Sequence, residues 1–144
     1  MSRLTLAQAD RIVDAALAKG RASSFLPLTV VALDAGGHAV ALKREDGSGI
    51  ARVEIATAKA WGGLGMGFGS RELFERASKL PAFVTAYTSV AGGRAMPAAG
   101  GVLILDGDGL VIGAVGVSGD TSDNDEICAV AGIEAAGLRP KTGL

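Results

Sequence analysis

Between Gly100 and Gly119 the chain reads GGVLILDGDGLVIGAVGVSG, two nearly uninterrupted apolar runs joined at Gly107-Asp108-Gly109. The β-branched content and the Asp-Gly turn predict a β-hairpin, with strands over Gly100–Asp106 and Leu110–Gly119. A strand that does not alternate polar with apolar residues offers no face to water. Such a hairpin has to sit inside a sheet covered on both sides, and the helices that cover it must come from the remaining sequence.

Those helices are readable. Thr5 and Gln8 stand at capping-box spacing, and Leu6, Ala9, Val13, Ala16 and Leu17 recur on one face as far as Lys19 and Gly20. After Pro27, LTVVALD, the turn Ala35-Gly36-Gly37 and HAVALKR predict a first hairpin. Ser48 is placed to cap a second helix through ARVEIATAKAWGGLG, with Arg52, Glu54 and Lys59 among its polar positions. Glycines 62, 63, 65, 67 and 69 each cost about 1 kcal/mol in a helix interior, so the helix is expected to end there in a turn. Ser70 restarts a short helix, and Pro81 opens a helical or irregular segment. In SDNDE, Ser122 or Asp123 is the expected cap of a last helix, which buries Ile127, Val130 and Ala131 and stops at Gly137 and Pro140. The order predicts an α+β fold, an antiparallel sheet packed with helices, as a single domain over residues 1–144.

Composition narrows the chemistry. The 144 residues carry 14 basic and 15 acidic side chains without a basic run, which argues against nucleic acid as a partner. No stretch reaches the roughly 18 apolar residues of a membrane span, and the amino terminus does not read as a signal segment; a cytoplasmic protein is expected. A single histidine, His38, and a single cysteine, Cys128, exclude multi-histidine or cysteine-cluster zinc sites and an internal disulfide. No metal ligands are assigned.

Each candidate residue has two readings. The glycine run lacks G-x-G-x-x-G and follows a helix rather than a strand, so close packing is favoured over a phosphate cradle. His38 is either an exposed residue at a strand start or a proton-transfer or haem-ligating group. Cys128 reads as a buried structural thiol. Ser118 and Thr121 are turn residues with hydroxyls to offer a ligand. The acidic group Asp120, Asp123, Asp125 and Glu126 reads as helix capping, since its spacing is not that of an EF-hand. If both hairpins share one sheet, Arg44, Asp46, Lys59 and the acidic cluster converge at one end of it.

The segments VVALDAGGHAVALKREDGSG, ATAKAWGGLGMGFGS and IGAVGVSGDTSDNDEICAVAGIEAAG, in that order and over nearly the whole chain, resemble the GlcG/HbpS family, also called DUF336. The third is the specific part. The resemblance implies a profilin-like or PAS-like fold and homo-oligomers from dimers to octamers. It also implies haem as a cofactor in several members, with others encoded in catabolic operons. Matching positions are Asp34, Gly36, Gly37, Arg44, Asp46, Gly47, Lys59, Gly113, Gly116, Ser118, Gly119, Asp125 and Glu126, mostly turn formers. VLIL after Gly100-Gly101 and the DTSDN before Asp125 depart from many relatives.

Two functions follow as expectations. One is an oligomeric haem or small-molecule binding protein, with Arg44 or Lys59 holding ligand carboxylates and His38 and Ser118 completing the site. Axial donors for haem are restricted to His38, Met66, Met96, Tyr87 and Cys128. The alternative is a small catabolic isomerase, hydrolase or lyase acting on a carboxylate or carbonyl compound. In that reading Arg44 orients the substrate and Asp46, Glu126 or His38 moves protons.

Overall fold

The computed structural model describes residues 2–144. The elements in chain order are α1 (Leu6–Ala22), β1 (Thr29–Asp34), β2 (Ala39–Arg44), α2 (Arg52–Met66), α3 (Ser70–Lys79) and α4 (Pro81–Val90). β3 (Gly101–Leu105), β4 (Val111–Ser118), α5 (Ser122–Ala135) and β5 (Arg139–Lys141) complete the order. The five strands form one sheet, β2-β1-β4-β3-β5, with every neighbouring pair antiparallel. This is the α+β architecture expected from the order of elements.

The apolar hairpin β3–β4 does lie at the sheet interior, covered on both faces. Val102, Ile104, Val115 and Val117 point to a core shared with Ile12, Val13 and Ala16 of α1 and Cys128, Ala129 and Ile133 of α5. The alternate residues Leu103 and Ala114, with Val31 and Leu33 of β1, pack on Ala56 and Ala60 of α2. Burial of each large aliphatic side chain stabilises the fold by about 1.5–3 kcal/mol, so these two layers supply most of the driving force. A third cluster, Phe68, Leu73, Val84, Ala91 and Ala95, ties α3 and α4 to the end of α2.

Local signals near helix ends mostly hold. The capping box forms, with Gln8 N donating to Thr5 Oγ1 at 3.1 Å and Thr5 N donating to Gln8 Oε1 at 3.0 Å. Three expectations need correction. Ser48 does not cap α2; it is buried, its Oγ lies 2.8 Å from Thr29 Oγ1, and α2 starts behind Ala51 without a side-chain cap. Thr121, not Ser122 or Asp123, caps α5 by accepting from Asn124 N at 3.2 Å. The buried side of α5 is Asp125, Cys128, Ala129, Gly132 and Ile133, while Ile127 is 46% exposed. Close approach of α1 at Gly132 sets that phase.

The glycine run behaves differently from its propensities. Gly62, Gly63 and Gly65 remain inside α2, and the helix ends only at Gly67, whose φ of +85° is left-handed. A β-carbon on Gly63 would press on the backbone of Phe68 and Gly69, so tertiary packing offsets the helix penalty. At Gly116 of β4 a side chain would overlap the Ala56 carbonyl, which lets α2 lie directly on the sheet. β5 was not expected. Gly137 ends α5, and Pro140 then sits in a three-residue edge strand paired with Leu103–Leu105. Proline is tolerated there because an edge strand can do without one N–H.

Candidate functional site

Pairing register places Arg44, Thr29 and Ser118 side by side across β2, β1 and β4, at one end of the sheet. Strand alternation puts them on the face that α2 covers, and a polar layer replaces the apolar one there. Thr29 Oγ1 meets Ser48 Oγ, Arg44 Nη1 donates to Ser48 O at 3.1 Å, and Arg52 Nη1 donates to Ser118 Oγ at 3.0 Å. From the middle of α2, Lys59 Nζ donates to Val117 O and to Asp125 Oδ2, each at 3.1 Å. Asp125 Oδ1 accepts from Asp120 N at 2.9 Å. Lys59 and Asp125 are only 3% and 1% exposed, so burial moves both toward their neutral forms, Lys59 downward and Asp125 upward.

One turn further, Glu126 accepts from Arg71 Nε on both carboxylate oxygens, at 3.1 and 3.0 Å, and Asp123 accepts from Arg71 Nη2. The two carboxylates hold the Arg71 guanidinium firmly charged.

The expected convergence is therefore met in part. Arg44, Ser118, Lys59 and Asp125 do share one sheet end. Arg44 and Asp46 also line a common cleft of about 460 Å³, with Leu17, Arg21, Lys43 and Glu45 on its walls. Lys59 and Ser118 do not face that cleft; both are buried and bonded within the fold. Glu126 is likewise elsewhere, engaged by Arg71 on α3. A single site lined by Arg44, Lys59 and Glu126 is not formed, because the loop before α5 swings these carboxylates behind the sheet end, against α2 and α3.

His38 stands at the other end of β2, exposed, with Asp34 Oδ1 accepting from its backbone N at 3.0 Å. About 20 Å of extended chain separates it from Arg44. Beside that turn is a shallow groove of about 100 Å³ against Gly36, Gly37 and Trp61. Cys128 is buried as expected, and burial pushes its thiol up to about 11. Tyr87 donates its hydroxyl to Gly62 O at 2.8 Å.

Arg52 and Arg71 were not singled out by sequence. Arg71 finds its partners 52 and 55 residues away, a pairing that no local spacing encodes. Arg44 differs from Arg21 and Lys43, which stand on the α1 side of the same sheet end. Arg21 pairs with Glu45 at 2.9 Å, and Lys43 pairs with Asp14 at 2.6 Å and Asp10 at 3.5 Å. Among the described residues Arg44 meets no carboxylate and bonds only the Ser48 carbonyl.

Helices on both faces of a five-stranded antiparallel sheet, with a polar layer at one end, define the α+β class to which the chain belongs. The family is then settled by sequence: residues 4–134 match the family described as haem degrading protein HbpS-like, and the chain belongs to it. Among solved structures, it is similar to the PduOC:heme complex at 24% identity, TM-score 0.85, covering 95% of this chain and 97% of that one. It is also similar to Klebsiella pneumoniae ORFY, a DUF336 protein, at 24% identity and TM-score 0.84, covering 95% and 93%. HbpS matches at 25% identity and TM-score 0.80, covering 93% and 90%. No curated protein matches. Among the described residues, no helix is long and apolar enough to cross a membrane.

Proposed function

We propose that this chain is a homo-oligomeric, cytoplasmic binding protein for a small carboxylate-bearing molecule, with haem as the first ligand to test and Arg44 as the carboxylate anchor. The observation that carries this reading is the Arg44 guanidinium, which lies on the α2 side of β2 at the edge of the sheet and meets no carboxylate among the described residues, bonding only the Ser48 carbonyl. A guanidinium in that state accepts a carboxylate through two parallel hydrogen bonds. Membership of a family described by haem, and likeness to a structure solved with haem, support the choice of ligand.

The candidate axial donors differ in access. His38 suits an axial donor, because it is exposed and its ring bonds no described residue. Cys128 does not, being sealed in the core as a protonated thiol. Haem, when bound, supplies redox-active iron; the chain supplies the anchor and the donor. Exposed Leu80, just before α4, and Phe83 and Val90 on it support self-association.

Titration of the purified protein with haemin, followed at the Soret band, tests the reading. The expected result is saturation at one haem per subunit, with affinity reduced 10- to 100-fold in Arg44→Ala, the loss of a charge-assisted pair. A titration without saturation removes haem, and an unchanged affinity in Arg44→Ala removes the anchor. Light scattering on the eluting protein gives the subunit number, and a monomer mass removes the oligomer.

A further inference from the structure

We infer that the cavity between α3 and the start of α5 is a second binding site, for a small aromatic monocarboxylate, and that Asp123 occupies its cation until the ligand arrives. The cavity holds about 330 Å³ and is lined by Arg71, Phe74, Ala99, Thr121, Ser122 and Asp123. It shares no residue with the Arg44 cleft.

The chemistry divides across Arg71. Glu126, 14% exposed, takes Nε through both oxygens and fixes the plane of the guanidinium. Asp123, 78% exposed, takes Nη2, while Nη1 bonds no described residue. A pair with one partner this exposed is weak and readily exchanged. A ligand carboxylate that displaces Asp123 gains both terminal nitrogens side by side, the two-point geometry guanidinium favours. Glu126 is then a positioning residue, and Asp123 a built-in competitor. The rest of the lining suits a ring: Phe74 presents an exposed aromatic side chain, Ala99 is small and apolar, and Thr121 and Ser122 carry hydroxyls. Aromatic pairing favours an aryl over an alkyl acid.

Benzoate is the probe, with benzamide as its uncharged match, read by amide chemical shifts and calorimetry on the full chain. Saturable shifts around Arg71, Phe74, Ala99 and Ser122, present also in Arg44→Ala, are expected for benzoate and not for benzamide. Asp123→Asn should tighten benzoate binding at least 3-fold, since it removes the competing charge. Phe74→Ala should weaken binding, and Arg44→Ala should leave it unchanged, which separates this site from the Arg44 cleft. Arg71→Gln should abolish binding, but it leaves Glu126 unpaired and is read only alongside a thermal melt. Because Asp123 is exposed, its variant carries the decision without a folding cost. No saturable shift, equal binding of benzamide, or an unchanged or weaker affinity in Asp123→Asn overturns the proposal.

Discussion

Lys59 Nζ lies 3.1 Å from Asp125 Oδ2, and the pair joins the middle of α2 to the first turn of α5 where water does not reach. Removing one member of a buried pair strands the other's charge, which costs about 3–5 kcal/mol. Lys59→Met should therefore lower stability by that amount in urea unfolding. Replacing both, as Lys59→Met with Asp125→Leu, should cost much less than the two single variants added together. Additive losses would show that the two groups are not coupled.

Arg44→Ala should do the opposite. The side chain is exposed and gives up one bond to the Ser48 carbonyl, so stability should stay within about 0.5 kcal/mol of wild type. Haemin affinity should fall while the urea midpoint does not move. A shifted midpoint would reassign Arg44 from ligand anchor to structural support.

Gly116→Ala tests how closely α2 lies on the sheet. A β-carbon there would overlap the carbonyl of Ala56 and crowd Ala60, and rigid backbone is what must give way. Overpacking of this kind costs about 1–3 kcal/mol. A thermal melt should show the loss, and an unchanged melting temperature would mean the helix has room to lift.

Cys128 predicts an alkaline limit. Its thiol is raised in the folded state, from 9.0 to about 11, by burial first and by the charge of Asp125 next. A group raised on folding contributes stability that is complete below its unfolded pKa and is lost as pH climbs through the folded one. Two units correspond to roughly 3 kcal/mol, spent between about pH 9 and 11. Cys128→Ala should lose less stability than wild type over that window in urea melts taken at each pH. Parallel losses would place the alkaline sensitivity elsewhere. In the native protein at neutral pH the thiol should resist a thiol-specific reagent.

What could be read from the sequence is what short range determines. Thr5 and Gln8 announce α1 because cap and partner lie three residues apart, and Asp106 through Gly109 announce the β3–β4 turn for the same reason. The two-sided covering of β3 and β4 was legible because those strands carry no polar alternation. Lys59 was legible only as a cation on a helix. Its burial depends on Asp125, 66 residues further along, and Arg71 depends on partners 52 and 55 residues away. The glycines of α2 misled by propensity, since Gly62 stays helical against Ala95, a contact brought in by the loop after α4. His38 and Arg44 look close in sequence, yet an extended strand places them at opposite ends.

The two margins of the sheet are unlike. On one side β5 is three residues long and carries Pro140, which has no N–H to donate. On the other, β2 runs for six residues with its outer backbone groups uncovered by any described strand. The sheet is thus a structure with one blunted border and one that still accepts hydrogen bonds. Any further strand, whichever chain supplies it, has to join along Ala39–Arg44, and it would arrive with Arg44 as its immediate neighbour.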